Sequence, residues 1–128
     1  MRLHNFTKFG IILSVETERL VTKFLLQNNF PTKINGYHYV KDAIVYVLES
    51  QTHFDENKTV FSYLAKKYHT ESDNVERCIR TFVAKTWKNL ESTGMFTEKP
   101  TSREFILKSV EYISLDLLPH SAYDIFDT

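Results

Sequence analysis

The sequence predicts an all-α domain, a compact bundle of five to six helices that contains a helix-turn-helix. Three observations predict this class. Apolar residues make up 42% of the 128 residues and aromatic residues 14%, which is enough for a buried core. The chain has only three glycines and three prolines, fewer than a sheet protein with many tight turns would use. The apolar residues also recur at three- and four-residue intervals, as on a helix with one buried face.

The length suits one domain. We expect an N-terminal arm over residues 1–14, the helical domain over residues 15–113 and an acidic, aromatic tail over residues 114–128. Cys78 is the single cysteine, so no internal disulfide can form, and we expect it to be a small buried side chain. No stretch approaches the ~18 apolar residues that span a bilayer, so we expect no membrane association and a cytoplasmic location.

The first two helices follow from apolar spacing and chain breaks. The first is predicted over residues 15–28, because the Asn28-Asn29 pair ends the periodic pattern. The Asn35-Gly36 pair signals a turn, and a second helix follows it. The predicted inward face of this second helix consists of Tyr39, Val40, Ala43, Ile44, Val47 and Leu48.

A third, short helix is predicted over residues 58–68, followed by a polar break. Its predicted inward side chains are Val60, Phe61, Leu64, Ala65 and Tyr68. Ser72 or Asp73 can cap the next helix, since Asp73 and Glu76 have the spacing of a capping box. This fourth helix is expected to extend to about Asn89. Its predicted buried face consists of Val75, Cys78, Ile79, Phe82, Val83 and Trp87.

The last helix is predicted to begin near Ser102, after a loop bounded by Gly94 and Pro100. From Ser114 onward we expect irregular chain. The predicted inward side chains of this helix are Phe105, Ile106, Val110 and Ile113.

The third and fourth helices have the register of a helix-turn-helix. Such a motif needs a small residue where the second helix crosses the first, and an apolar residue about ten positions later. Ala65 and Val75 meet both requirements. His69 lies at the turn, where glycine is common, and histidine accepts a left-handed backbone more readily than most residues.

The outward face of the fourth helix has side chains suited to the major groove. Arginine can bind guanine O6 and N7, glutamate can accept from cytosine N4, and asparagine can pair with adenine. The candidate base-contacting residues are Asn74, Glu76, Arg77 and Arg80. The candidate phosphate-contacting residues, near the turn and farther along the helix, are Lys66, Lys67, Thr70, Ser72, Lys85 and Lys88.

The charge distribution supports a polyanionic partner even though the net charge is zero. Residues 58–90 contain seven basic and three acidic residues, and residues 91–128 contain three basic and seven acidic residues. A basic middle segment can therefore face nucleic acid. The alternative is that Glu76 and Arg80 form an ordinary i,i+4 pair on a solvated helix.

Several segments together resemble a known family. They are residues 34–40, 64–68, 75–80, Trp87 and 99–106. In this order they are similar to the C-terminal DNA-binding effector domain of the stage 0 sporulation protein A family, over about residues 17–113. The resemblance implies a six-helix domain that binds short promoter boxes, often in tandem, with Glu76, Arg77 and Arg80 contacting the bases.

Three departures from the family pattern limit what the resemblance implies. Asn74 stands where the family usually has arginine, so the preferred box is expected to differ. The segment between Trp87 and Lys99 is shorter than the family's, and the family uses it to contact the principal sigma factor, so we do not expect activation through that contact. The family's regulators have a receiver domain ahead of this one, for which this chain leaves no room, so regulation by an in-chain aspartate is not expected.

The tail over residues 114–128 leaves two interpretations open, because it interleaves apolar and acidic side chains. In one, the apolar side chains pack on the domain's own core. In the other, the tail engages a partner, or folds back near the basic helix and moderates DNA affinity.

We therefore expect a bacterial, sequence-specific, double-stranded DNA-binding transcription regulator that reads promoter boxes with the helix starting near Ser72. One such helix reads too few base pairs to select a promoter, so we expect a monomer or weak dimer that loads in tandem on DNA. The alternative is a protein-interaction module on a helix-turn-helix scaffold that binds another regulator or an RNA polymerase subunit.

Catalytic and metal chemistry is not indicated. The five histidines are scattered without the spacing of a metal site. No glycine-rich phosphate loop or nucleophile motif occurs. We expect no cofactor, no metal and no enzymatic activity.

Overall fold

The computed structural model describes residues 2–50 and 57–117, with side chains placed over residues 15–49 and 60–115. These ranges contain five α-helices and one 3₁₀ helix, and no strand is found within them. The predicted all-α class is confirmed. The elements are α1 (Arg2–Gln27), α2 (Gly36–Ser50), α3 (Asn57–Lys67), α4 (Ser72–Thr86), the 3₁₀ helix (Trp87–Thr93) and α5 (Ser102–Leu117).

The core is centred on an aromatic cluster around Phe30. This residue follows α1 and is buried. Its ring centroid lies 6.2 Å from Phe24, 5.7 Å from Phe82 and 5.9 Å from Phe105. Phe30 thus joins α1, α4 and α5, at a position that the sequence pattern assigned to a loop. Aromatic pairs at these separations stabilise a core beyond the area they bury.

The first helix begins at Arg2, so its start near residue 15 was predicted wrongly. No proline interrupts the chain before Pro31, and the helical backbone continues through the segment expected to be an arm. The end of α1 follows the prediction closely. Asn29 adopts a left-handed backbone with φ of 60°, and the N–H of Phe30 donates to the carbonyl of Leu25 at 3.0 Å, as in a Schellman motif.

The second helix is rotated slightly from its predicted face. Tyr37 is buried against Phe82, with ring centroids 6.4 Å apart, although the sequence analysis had not placed it inside. Tyr39 is only half-buried because its ring packs edge-on against Tyr68 at 5.0 Å, near the surface. Leu48 is also half-buried.

The predicted cap of α4 is wrong. Glu71 is the capping residue, with extended φ and ψ of −92° and 150°, and its side chain makes no capping hydrogen bond. Its carbonyl accepts from the N–H groups of Asn74 and Val75, both at 3.1 Å. Because the helix already begins at Ser72, Asp73 lies inside the first turn, where a carboxylate interacts favourably with the helix dipole.

The fourth helix ends at Thr86 and not near Asn89. The Thr86 hydroxyl donates to the carbonyl of Phe82 at 2.7 Å, a bond that bends helices, and the chain continues as the 3₁₀ helix. Gly94, with φ of 77°, ends that helix. Cys78 and Trp87 were expected to be buried but are half-buried.

The fifth helix starts as predicted and extends further than predicted. A reciprocal capping box holds its start: the N–H of Thr101 donates to Glu104 Oε1 at 2.9 Å, and the N–H of Glu104 donates to Thr101 Oγ1 at 3.0 Å. The helix continues to Leu117, so the irregular chain predicted from Ser114 is helical over its first four residues. The rest of the predicted tail, residues 118–128, lies outside the described residues.

Candidate nucleic-acid interface

The helix-turn-helix register is confirmed by burial and backbone geometry. Ala65 in α3 and Val75 in α4 are both buried, and the two helices pack against each other. His69 lies in the turn with φ of 56°, the left-handed conformation that the sequence analysis allowed for it. The N–H of Thr70 donates to the carbonyl of Ala65 at 2.9 Å and closes the end of α3. The turn therefore fixes the direction in which α4 leaves α3.

The exposed face of α4 brings the candidate base-contacting residues together. Glu76, Arg77 and Arg80 are exposed, while Asn74 is half-buried at one side of the same face. All four line one shallow depression together with Glu71 and Asp73. They form the surface that we call the recognition face: Asn74, Glu76, Arg77 and Arg80.

Two contacts pair these residues within the recognition face. Arg80 Nη1 lies 3.4 Å from Glu76 Oε1, and the two side chains are 59% and 50% exposed. Arg77 Nη2 donates to Asn74 Oδ1 at 2.5 Å. The ordinary i,i+4 pair considered as an alternative is thus present. Exposed ion pairs contribute only about 0.2–1 kcal/mol, so a nucleic acid could replace the Glu76–Arg80 contact at little cost.

The candidate phosphate-contacting lysines differ in their surroundings. Lys66, Lys85 and Lys88 are exposed. Lys67 Nζ lies 2.9 Å from Asp42 Oδ2 in α2, and the hydrogen bond to this carboxylate raises the pKa of Lys67 above its ordinary value. The charge of Lys67 is therefore partly balanced within the protein.

The remaining two candidates lie at the turn and at the start of α4. The Thr70 hydroxyl accepts a hydrogen bond from Asn74 Nδ2 at 3.0 Å, so it is already engaged with the recognition face. Ser72 is half-buried in the first turn of α4. Backbone N–H groups at such a helix start favour anions.

The structure adds two basic residues that the sequence analysis did not select. A cleft of about 570 Å³ separates α4 from the start of α5, and Lys99 and Arg103 line it together with Glu76 and Arg80. The net negative charge of residues 91–128 concealed these two residues.

Over residues 2–50 and 57–117, no group of three or more histidine, cysteine, aspartate or glutamate side chains has the arrangement of a metal site. In the same part of the chain, no helix combines the length and the apolar character needed to cross a membrane.

A comparison with known protein families shows to which family the chain belongs. The family model described as "Sporulation initiation factor Spo0A C terminal" matches residues 21–113, which include the helix-turn-helix and the recognition face. The chain belongs to this family. The Spo0A C-terminal domain is a DNA-binding effector domain, so this chain is a DNA-binding domain of the kind that regulates transcription in sporulation.

The Spo0A C-terminal match leaves segments at both ends of the chain outside it. It begins within α1 and ends at Ile113 in α5. The first nineteen residues of α1, the last four residues of α5 and residues 118–128 are therefore outside the matched region. The matched region contains every candidate base-contacting and phosphate-contacting residue, including Lys99 and Arg103.

Proposed function

We propose that this protein is a sequence-specific regulator that binds double-stranded promoter DNA and reads short boxes with α4. One observation carries the proposal: the exposed recognition face is mounted on a helix-turn-helix whose crossing is buried. Ala65 and Val75 are both buried and α3 packs against α4, so the charged face of α4 is free of the core. The DNA target implies that the protein acts in the bacterial cytoplasm.

The recognition face offers complementary chemistry for base edges in the major groove. Arg77 and Arg80 each present several N–H donors, and a guanidinium group can bind guanine O6 and N7 together. Glu76 can accept from cytosine N4. Because the exposed 3.4 Å contact between Glu76 and Arg80 is weak, the two side chains can separate to bind neighbouring bases. We therefore expect a box rich in G·C pairs under this part of α4.

Basic side chains on both sides of the recognition face supply the phosphate contacts in this proposal. Lys66 precedes the turn, Lys85 lies in the last turn of α4 and Lys88 in the 3₁₀ helix, and Lys99 and Arg103 line the same cleft as Arg80. Phosphate contacts orient a protein on the duplex without selecting a sequence. Thus contacts to the DNA backbone, which is the same for every sequence, position α4, and the recognition face selects the box.

Tandem loading completes the proposed mechanism. A single helix contacts only a few base pairs, which cannot single out a promoter among genomic sites. We propose that a monomer or weak dimer occupies repeated boxes cooperatively, with the repeats about one helical turn apart. Equal affinity per box on single and repeated sites would contradict tandem loading. RNA polymerase or another regulator remains a proposed further partner.

The decisive experiment is selection of bound sites from random duplexes at low salt, followed by affinity measurements on the selected site. Arg77→Ala is expected to lose about 1–3 kcal/mol on that site and to relax the preference at one base pair. Lys66→Ala is expected to weaken all duplexes alike and to lower the salt slope by about one. Lys23→Ala, an exposed change on α1, is the matched control. Failure of the folded wild type to enrich any duplex would refute DNA binding.

A second candidate function is an interaction module that has lost DNA affinity. Val15 and Leu26, two exposed apolar side chains of α1, line one shallow depression, and an exposed apolar patch favours a protein partner. The same selection experiment separates the two functions. The interaction module predicts a folded protein that enriches no duplex at any salt concentration, whereas the regulator predicts strong, salt-dependent enrichment.

A further inference from the structure

We infer that Asn74 is a positioning residue that orients Arg77 for base recognition and does not itself read a base. This inference rests on the proposed function and deepens it. It also changes the role that the sequence analysis gave to Asn74. The structural basis is a chain of two hydrogen bonds from Thr70 through Asn74 to Arg77.

Both ends of the Asn74 amide are engaged. Nδ2 donates to Thr70 Oγ1 at 3.0 Å, and Oδ1 accepts from Arg77 Nη2 at 2.5 Å. The Cys78 thiol also donates to this oxygen, with Sγ 3.9 Å from Oδ1. To pair with adenine, an asparagine needs its oxygen for N6 and its nitrogen for N7 at the same time. Each amide end has one further hydrogen-bonding position, but both ends are already held by protein partners and Asn74 is half-buried beside the turn, so its orientation is set within the protein.

The anchor of this chain is held by a backbone hydrogen bond. Thr70 lies in the turn, where its N–H is bonded to the carbonyl of Ala65 at 2.9 Å and the preceding His69 adopts a left-handed backbone. Asn74 connects this fixed backbone to the guanidinium group of Arg77. The position of Arg77 is consequently set by the turn and not only by the flexible arginine stem.

The consequence for binding is preorganisation. A mobile arginine side chain must be immobilised when it contacts a base. The conformational entropy that it loses is part of the unfavourable free energy of association. A hydrogen bond to one terminal nitrogen leaves the other donors of Arg77 available for guanine. Arg80 has no comparable support, because its contact is a 3.4 Å pair with the exposed Glu76. We therefore expect Arg77 to show the sharper base preference of the two.

The first test maps base preference for the wild type, Asn74→Ala, Arg77→Ala and the double variant. Asn74→Ala is expected to relax the preference at the same base pair as Arg77→Ala and to weaken binding roughly 2- to 12-fold, the cost of ordering one side chain. In the Arg77→Ala background, the same change should have almost no effect. Relaxation at a different base pair, with the Arg77 position intact, would show direct reading by Asn74 and overturn the inference. No change at any position would overturn it as well.

Conservative variants separate positioning from other roles. Asn74→Asp keeps an acceptor for Arg77 and for the Thr70 hydroxyl, so base preference should survive while the added charge weakens all duplexes alike. Thr70→Ser should behave like the wild type, whereas Thr70→Val should relax the base preference at the base pair that Arg77 contacts. If Thr70→Val weakened every duplex equally, Thr70 would be only a phosphate contact and the hydrogen-bonded chain would have no role.

A measurement without DNA distinguishes this inference from the proposed function. The ¹⁵N relaxation of the Arg77 Nε–H group reports the order of its side chain in the free protein. Arg77 is expected to be more ordered than Arg80, and Asn74→Ala is expected to remove the difference. Equal order of the two groups in the wild type would overturn the inference even if DNA binding were established. Failure to bind DNA with an ordered Arg77 would refute the proposed function alone.

Discussion

The hydroxyl of Tyr68 donates a hydrogen bond of 2.5 Å to Oδ2 of Asp42, and this bond ties the end of α3 to α2. Lys67 Nζ lies 2.9 Å from the same oxygen. The Asp42 side chain is only 17% exposed, so one shielded carboxylate holds two consecutive residues at the start of the helix-turn-helix turn. The orientation of α4 thus depends on α2 as well as on the turn itself.

We expect this contact to stabilise the fold measurably. Tyr68→Phe should lower the free energy of unfolding by about 0.5–1.5 kcal/mol, the usual net contribution of one hydrogen bond. Asp42→Ala should cost about 1–3 kcal/mol, because it leaves the partly buried hydroxyl without its acceptor. Urea denaturation measures both. The control is Glu18→Ala, which removes an exposed contact with Lys41 at 3.4 Å. An equal loss in Asp42→Ala and Glu18→Ala would argue against the assigned role.

The same contact predicts a loss of stability at alkaline pH. Burial and the hydrogen bond to Asp42 raise the pKa of Tyr68 above its ordinary value of 10.0, and the hydrogen bond to Asp42 raises the pKa of Lys67 above 10.5. Both folded-state values exceed the unfolded ones, so the stabilisation is complete below about pH 10 and is lost as the pH rises through the folded values. Urea unfolding from about pH 8 to about pH 11 should show a smaller decline for Tyr68→Phe than for the wild type. Parallel declines would contradict this.

Gly36 is expected to tolerate no larger residue, although it begins a helix. A Cβ at this position would lie 2.6 Å from the carbonyl oxygen of Cys78 and 2.6 Å from Cβ of Phe82. Gly36→Ala should therefore destabilise the fold by about 1–3 kcal/mol, as overpacking does, despite the better helix propensity of alanine. Thermal unfolding measures the change. Gly94→Asn is the control, because a Cβ there meets no atom within 4 Å and asparagine accepts a positive φ. A stabilised Gly36→Ala would show that α2 and α4 separate readily.

The left-handed turn residue predicts a stabilising change. His69 has φ of 56°, a conformation that costs most residues about 1–2 kcal/mol and that glycine adopts freely. His69→Gly is expected to raise the free energy of unfolding by about 0.5 kcal/mol after the larger loss of chain entropy. His69→Val should lower it, since β-branched residues strongly disfavour a positive φ. Guanidinium denaturation measures the free energy of unfolding of the wild type and the two variants. A valine variant as stable as the glycine variant would disprove the explanation.

Lys66 and Lys67 are neighbours in sequence, yet we expect them to contribute unequally to DNA affinity. Lys66→Ala should reduce the slope of log affinity against log salt by about one, because a free charge contacting phosphate releases a counterion. Lys67→Ala should change the slope less, since Asp42 already balances its charge. Titrations on one duplex at several salt concentrations compare the two variants. Equal slopes would mean that Lys67 leaves Asp42 when DNA binds.

Local patterns explain which parts of the fold could be predicted. Apolar spacing located α2 to α5 because a helix repeats every 3.6 residues wherever it packs. Element ends were less predictable. Glu71 caps α4 in place of Ser72 or Asp73, and Thr86 ends α4 through a bond to its own preceding turn. Both depend on small differences among residues that can each occupy a helix end.

The sequence by itself determined the all-α class, the burial of Ala65 and Val75, and the exposure of Arg77 and Arg80, because these depend on residues close together in the chain. Only the tertiary structure brought Lys99 beside Arg80, since it depends on how α5 packs. It also decided that Lys67 pairs with Asp42 and that Phe30 packs against Phe24, Phe82 and Phe105. Such contacts join residues far apart in sequence, and no periodic pattern records which distant surfaces will meet.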